Sequence, residues 1–143
     1  MTRTSVAAVL SALTLAVPTT NAIAATTAST AKSKVVVTTR RFLGSSVEAD
    51  RWGPLQVAIT VRKTTTTVGK KVTVKRRIVA VSVPVYPNHT DRSIFINQQA
   101  LPYLKQEVLK AQSADVQLIS GATDTSYAFV QSLQAAIAQA RRA

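Results

Sequence analysis

The apolar residues change period along the chain, and each change marks an element. Leu55, Val57, Ile59 and Val61 alternate with Gln56, Ala58, Thr60 and Arg62, a period of two that predicts a strand with one face in a core. Upstream, residues 35–42 (VVVTTRRF) are rich in β-branched side chains and predict a first strand. Gly44-Ser45-Ser46 predicts a turn after it, and Trp52-Gly53-Pro54 a second. Residues 63–71 (KTTTTVGKK) predict a hairpin connection centred near Gly69. The next strand begins with Val72 and Val74 but carries its later apolar residues at Val79, Val81 and Val83. That change of parity predicts a β-bulge or a break around Lys75-Arg76-Arg77. Pro84 ends the pairing, and residues 84–92 have the composition of a loop.

Beyond that loop the period becomes helical. Ile96, Ala100, Leu101, Leu104, Val108 and Leu109 keep one face through Ala111, with Ser93 as cap and Ile94 as first residue. Pro102 lies inside this pattern, which predicts a kink or a division there. Ser113-Ala114-Asp115 ends the helix, and residues 116–119 predict a short extended segment returning to the sheet. Residues 124–140 give the clearest stripe, Phe129, Leu133, Ala136, Ile137 and Ala140, with Asp124 at its start and Arg141-Arg142 at its end. Strands followed by helices predict an α+β fold, a small antiparallel sheet with two main helices packed on it.

The first residues change the picture of where that domain begins. Arg3, the apolar run over residues 5–17, Pro18 and Ala22-Ile23-Ala24 form the three-part pattern of a secretory signal peptide over residues 1–24. The run is shorter than the roughly 18–20 residues a spanning helix needs. Residues 25–34 (ATTASTAKSK) are small, polar and low in complexity and predict a flexible linker. The folded domain is then residues 35–143. The chain carries 18 Lys and Arg against 6 Asp and Glu, a formal charge of +12, and the leader accounts for only Arg3 among the cations. Zero cysteines exclude a disulfide framework and a thiolate metal site or nucleophile. With His89 as the one histidine, a His-based metal cluster has no second imidazole.

Ser120-Gly121-Ala122-Thr123-Asp124-Thr125-Ser126 joins the extended segment to the last helix. Hydroxyls, a glycine and unpaired helix N–H groups converge there, the chemistry of a phosphate site. The same residues also suit a plain helix start, with Thr123 or Thr125 as cap and Ser120-Gly121 as the preceding turn.

This string, Ser-Gly-Ala-Thr-x-Thr-Ser followed by Phe129-x-x-Ser132-Leu133-x-x-Ala136, resembles the signature of the FMN-binding domain family. That family includes flavin-carrying subunits of the sodium-pumping NADH:quinone oxidoreductase and of Rnf-type complexes. Trp52-Gly53-Pro54-Leu55-Gln56-Val57, Pro84 with Ser93-Ile94, Ala100-x-x-x-Leu104 and Gln112-Ser113-Ala114 are also similar to it, so the likeness covers residues 40–140. The resemblance implies one FMN held at Ser120, Gly121, Ala122, Thr123, Thr125 and Ser126. It implies an electron-transfer role with a redox partner still to be identified, a carrier rather than an autonomous enzyme. It also implies that Thr123 is the residue a flavin transferase esterifies to the FMN phosphate, with FAD as donor and magnesium. Where that transferase motif has an acidic residue three positions before the serine, this chain has Gln117, and Asp115 lies two residues further upstream.

Arg62, Lys63, Lys70, Lys71, Lys75, Arg76 and Arg77 make the predicted hairpin basic, with no acid among them. One reading is contact with an anionic envelope surface; the other is a solvated edge that blocks strand aggregation. Nucleic acid is not the expected partner, because the hairpin has neither stacking aromatics nor a groove-reading helix. The alternative function for the whole chain is an exported basic module that adheres to anionic envelope polymers without flavin. Trp52 and Tyr86 are either core aromatics or stacking partners for a flavin ring, and no paired carboxylates or Ser-His-Asp spacing point to hydrolysis.

Overall fold

The computed structural model describes residues 32–143; the predicted leader and nearly all of the linker lie outside them. Four strands and two helices follow along the chain: β1 (Ser33–Leu43), β2 (Val47–Glu48), β3 (Pro54–Val68), β4 (Lys71–Val85), α1 (Asp91–Ala111) and α2 (Thr123–Arg142), of which the two-residue β2 was not expected from the sequence. The sheet is antiparallel, and β1, β2 and β4 all pair with β3. The α+β expectation therefore holds. By contacts the chain forms a larger unit, residues 36–65 with 73–143, and a smaller one that includes residues 66–72.

The core of the larger unit follows from the two periods. Leu55, Val57, Ile59 and Val61 of β3 are buried, as the alternation predicts. Leu101, Leu104 and Val108 of α1 and Phe129, Leu133, Ala136 and Ala140 of α2 pack with them. Burying a leucine- or phenylalanine-sized side chain is worth about 1.5–3 kcal/mol, so this cluster is the main source of stability. Leu109, placed on the buried stripe by spacing, is instead 36% exposed.

One hydroxyl adds a polar tie to this packing of α2 on the sheet. Ser132 Oγ accepts the Val57 N–H at 2.8 Å and donates to the Ser45 carbonyl at 2.7 Å. Gly44 permits that approach, because a Cβ there would run into the Ser132 carbonyl and hydroxyl. The Gly44 N–H donates to the Val57 carbonyl, and Gln56 Nε2 to the Gly44 carbonyl, each at 2.7 Å.

Several expectations are corrected. The KTTTT stretch is strand rather than connection, and the turn is only Gly69-Lys70, with Gly69 at φ +60. β4 runs unbroken from Lys71 to Val85, so of the bulge or break expected at Lys75-Arg76-Arg77 the break does not occur. Residues 71–77 are all exposed, so their alternation answers to no core. Thr90, not Ser93, caps α1: Thr90 Oγ1 accepts the Ser93 N–H at 3.1 Å while Ser93 Oγ accepts the Thr90 N–H at 3.2 Å. This is a capping box with serine as the returning partner. Pro102 does not divide α1. It and Gln98, whose carbonyl loses a partner to the missing N–H, are both exposed, which leaves that carbonyl within reach of solvent.

Residues 116–119 do not join the sheet. Gln112, the left-handed residue that ends α1 (φ 55), occupies part of the free edge of β4 instead. Its side-chain amide accepts the Ile78 N–H at 2.8 Å and donates to the Ile78 carbonyl at 3.0 Å, so those two groups are not open to another strand.

Candidate functional site

The predicted loop opens onto a pocket of about 220 Å³. Gly121, Ala122, Thr123, Asp124 and Thr125 line one side of it. Arg51 and Trp52, from the short 3-10 turn before β3, line another. The start of α1 completes it with Arg92, Ser93, Ile96 and Asn97.

The helix start bears on the reading of Thr123 or Thr125 as a cap. α2 begins at Thr123, and its N-cap is Ala122, which has no side chain to offer. Neither Thr123 nor Thr125 caps the helix. The first turn therefore keeps N–H groups that neither its own backbone nor a capping side chain satisfies, with the positive end of the helix dipole behind them. Gly121 sits at φ +84 with open space where a Cβ would stand, a backbone conformation that favours glycine and leaves the approach to those N–H groups clear.

The remaining predicted residues take different places. Thr123 is exposed and at the first helical position. Thr125 is buried and donates to Asn97 Oδ1 at 3.1 Å. Ser120 is exposed and not on the pocket wall. Ser126 is fully buried, and its hydroxyl donates to the Ala122 carbonyl at 2.8 Å and accepts the Ile119 N–H at 3.1 Å. Its role is to fold the loop back onto the helix rather than to line the pocket.

Three pocket residues were not singled out from sequence. Asn97 is 1% exposed and donates to the Pro87 carbonyl at 2.7 Å while accepting from Thr125. It thereby ties the loop before α1 to the first turn of α2. Arg51 stands with its guanidinium carbon 5.5 Å from the centre of the Trp52 ring, in cation–π range, and its contact with Asp50 at 3.9 Å is exposed. Arg92 enters from the first turn of α1. The signal for Asn97 was a polar residue on the apolar face of α1, one turn before Leu101. The arginines carried no pattern of their own, because the fold alone brings residues 51, 92 and 123 together.

Two guanidinium groups, free N–H donors, a hydroxyl and an aromatic ring suit a ligand with a phosphate at one end and a flat apolar group at the other. Asp124 is the one acid on the wall. It is exposed to water, which screens its repulsion of an anion, and two arginines oppose it. The fold is thus a small α+β domain with a pocket at a helix start whose donors suit a phosphate-bearing ligand. The family model for the FMN-binding domain matches residues 50–138, and the chain belongs to that family. The site residues fit the FMN phosphate, and FMN is the cofactor. A comparison with curated proteins found no match.

Proposed function

We propose that this FMN-binding protein is an extracytoplasmic electron-transfer flavoprotein whose FMN phosphate lies at the first turn of α2. The observation that carries the reading is the uncapped helix start facing Arg51 and Arg92. The N–H groups of the first turn and the two guanidiniums bind the phosphate, and Asn97 holds Thr125 and the turn in place. Trp52 and Ile96, which also line the pocket, offer apolar surface to the ring. When bound, FMN supplies the redox chemistry through its isoalloxazine. The leader pattern of residues 1–24 supports export, and the acid-free cationic stretch from Arg62 to Arg77 supports contact with an anionic envelope surface.

Thr123 is the attachment residue in this reading. It is exposed, lines the pocket and stands at the first helical position. A flavin transferase would join Thr123 Oγ1 to the FMN phosphorus of FAD. The pyrophosphate bond breaks, AMP leaves, and the hydroxyl proton passes to solvent. Co-expression of the full chain with a flavin transferase in an exporting host tests this. The expected result is a fluorescent band on a denaturing gel for the wild type and none for Thr123→Ala. A wild type that stays dark rules out the ester, and equal fluorescence in Thr123→Ala places it elsewhere.

A further inference from the structure

Arg40, Lys63 and Arg76 come from three different strands and yet line one pocket of about 190 Å³ beside the end of α2. The pleat explains how. Thr38, Arg40 and Phe42 are alternate residues of β1, and Val61, Lys63 and Thr65 are alternate residues of β3, so each trio shares a face. Phe42, Val61 and Ala140 give the lining its apolar part, and the two threonines add hydroxyls. No residue of this pocket belongs to the flavin site.

No Asp or Glu side chain lines this pocket. β1, β3 and β4 contain no Asp or Glu. Among the described residues the ion pairs are Asp50–Arg51 and Glu107–Lys110, both elsewhere. Lys63 Nζ donates to a backbone oxygen of Ala143 at 3.1 Å, which leaves Arg40 and Arg76 as the two cations of the pocket with no side-chain hydrogen bond among those residues. Like charges gathered around a partly enclosed space repel one another, and an anion between them reverses the sign of that energy. Guanidinium forks match the oxygens of a phosphate in particular.

We propose that this pocket is a second anion site, which takes a phosphate ester whose uncharged body rests on Phe42 and Val61. The ester is soluble or borne by a lipid, and two probes separate these sources. Glycerol 3-phosphate is titrated into the full chain at low salt, and flotation with phosphatidylglycerol vesicles is measured in parallel. The double variant Arg40→Ala/Arg76→Ala is expected to lose about tenfold or more in affinity for whichever probe binds. The control Arg41→Ala/Lys75→Ala removes the same charge from adjacent strand positions that do not line the pocket, and it is expected to keep wild-type affinity. All four side chains are exposed, so both variants should fold, and thermal denaturation checks that they do. Binding of glycerol 3-phosphate identifies a soluble ligand, and binding of vesicles alone a lipid-borne one. Failure of the wild type to bind either probe overturns the proposal, as does an equal loss in the control. FMN retention, read separately, should not change in either variant, so the result does not depend on the flavin reading.

Discussion

Ser132 and Asn97 each satisfy buried partners on other elements, and each makes a prediction. Ser132→Ala leaves the Val57 N–H and the Ser45 carbonyl without their partner. An unsatisfied buried group costs about 1–3 kcal/mol, so the variant should melt several degrees lower while still binding FMN. Asn97→Ala should cost a similar amount, about 1–3 kcal/mol, because the Thr125 hydroxyl and the Pro87 carbonyl lose their bonds together. Unlike Ser132→Ala, it should also weaken FMN, since it frees the first turn of α2. Denaturation and flavin titration on both variants separate docking of the helix from positioning of the site. The positions of the FMN-binding signature can be explained in the same terms. Phe129 and Leu133 fill the core, Ser132 staples the sheet, and Ala136, fully buried, leaves room for close packing.

Among the elements, Gln112 is the most informative. Its side chain pairs with both backbone groups of Ile78, so Gln112→Ala should speed hydrogen exchange at the Ile78 amide and destabilise the protein by about 1–2 kcal/mol. An unchanged exchange rate at Ile78 would mean that the contact does not persist in solution. This residue also shows why the sequence misplaced residues 116–119. Apolar side chains at short spacing mark burial, and Val116 and Ile119 do pack on the core, but burial is not pairing. The period of two in β3 and the helical stripe of α2 were legible because each has one face against the core. Parity in residues 71–77 of β4 was misleading because no core faces them. The hydroxyl-rich loop was legible as a helix start from local chemistry. Its arginine wall was not, because Arg51 and Arg92 reach the loop only through tertiary packing.

Over the whole molecule, charge and chemistry occupy different regions. Every acid of the chain, from Glu48 to Asp124, lies outside β1, β3 and β4, while the flavin pocket mixes two arginines with Asp124. Replacing Lys70, Lys71 and Lys75 by Gln should lower the salt needed to release the protein from an anionic matrix and leave FMN binding unchanged. The central claim is that the phosphate of FMN is held at the first turn of α2 between Arg51 and Arg92. Parallel titrations of the protein with FMN and with riboflavin test it most directly, since the two share a ring and differ in the phosphate. The account predicts that FMN binds about a hundredfold more tightly, the worth of two charge-assisted contacts, and that Arg51→Ala/Arg92→Ala removes most of that difference. Equal affinity for FMN and riboflavin would contradict it.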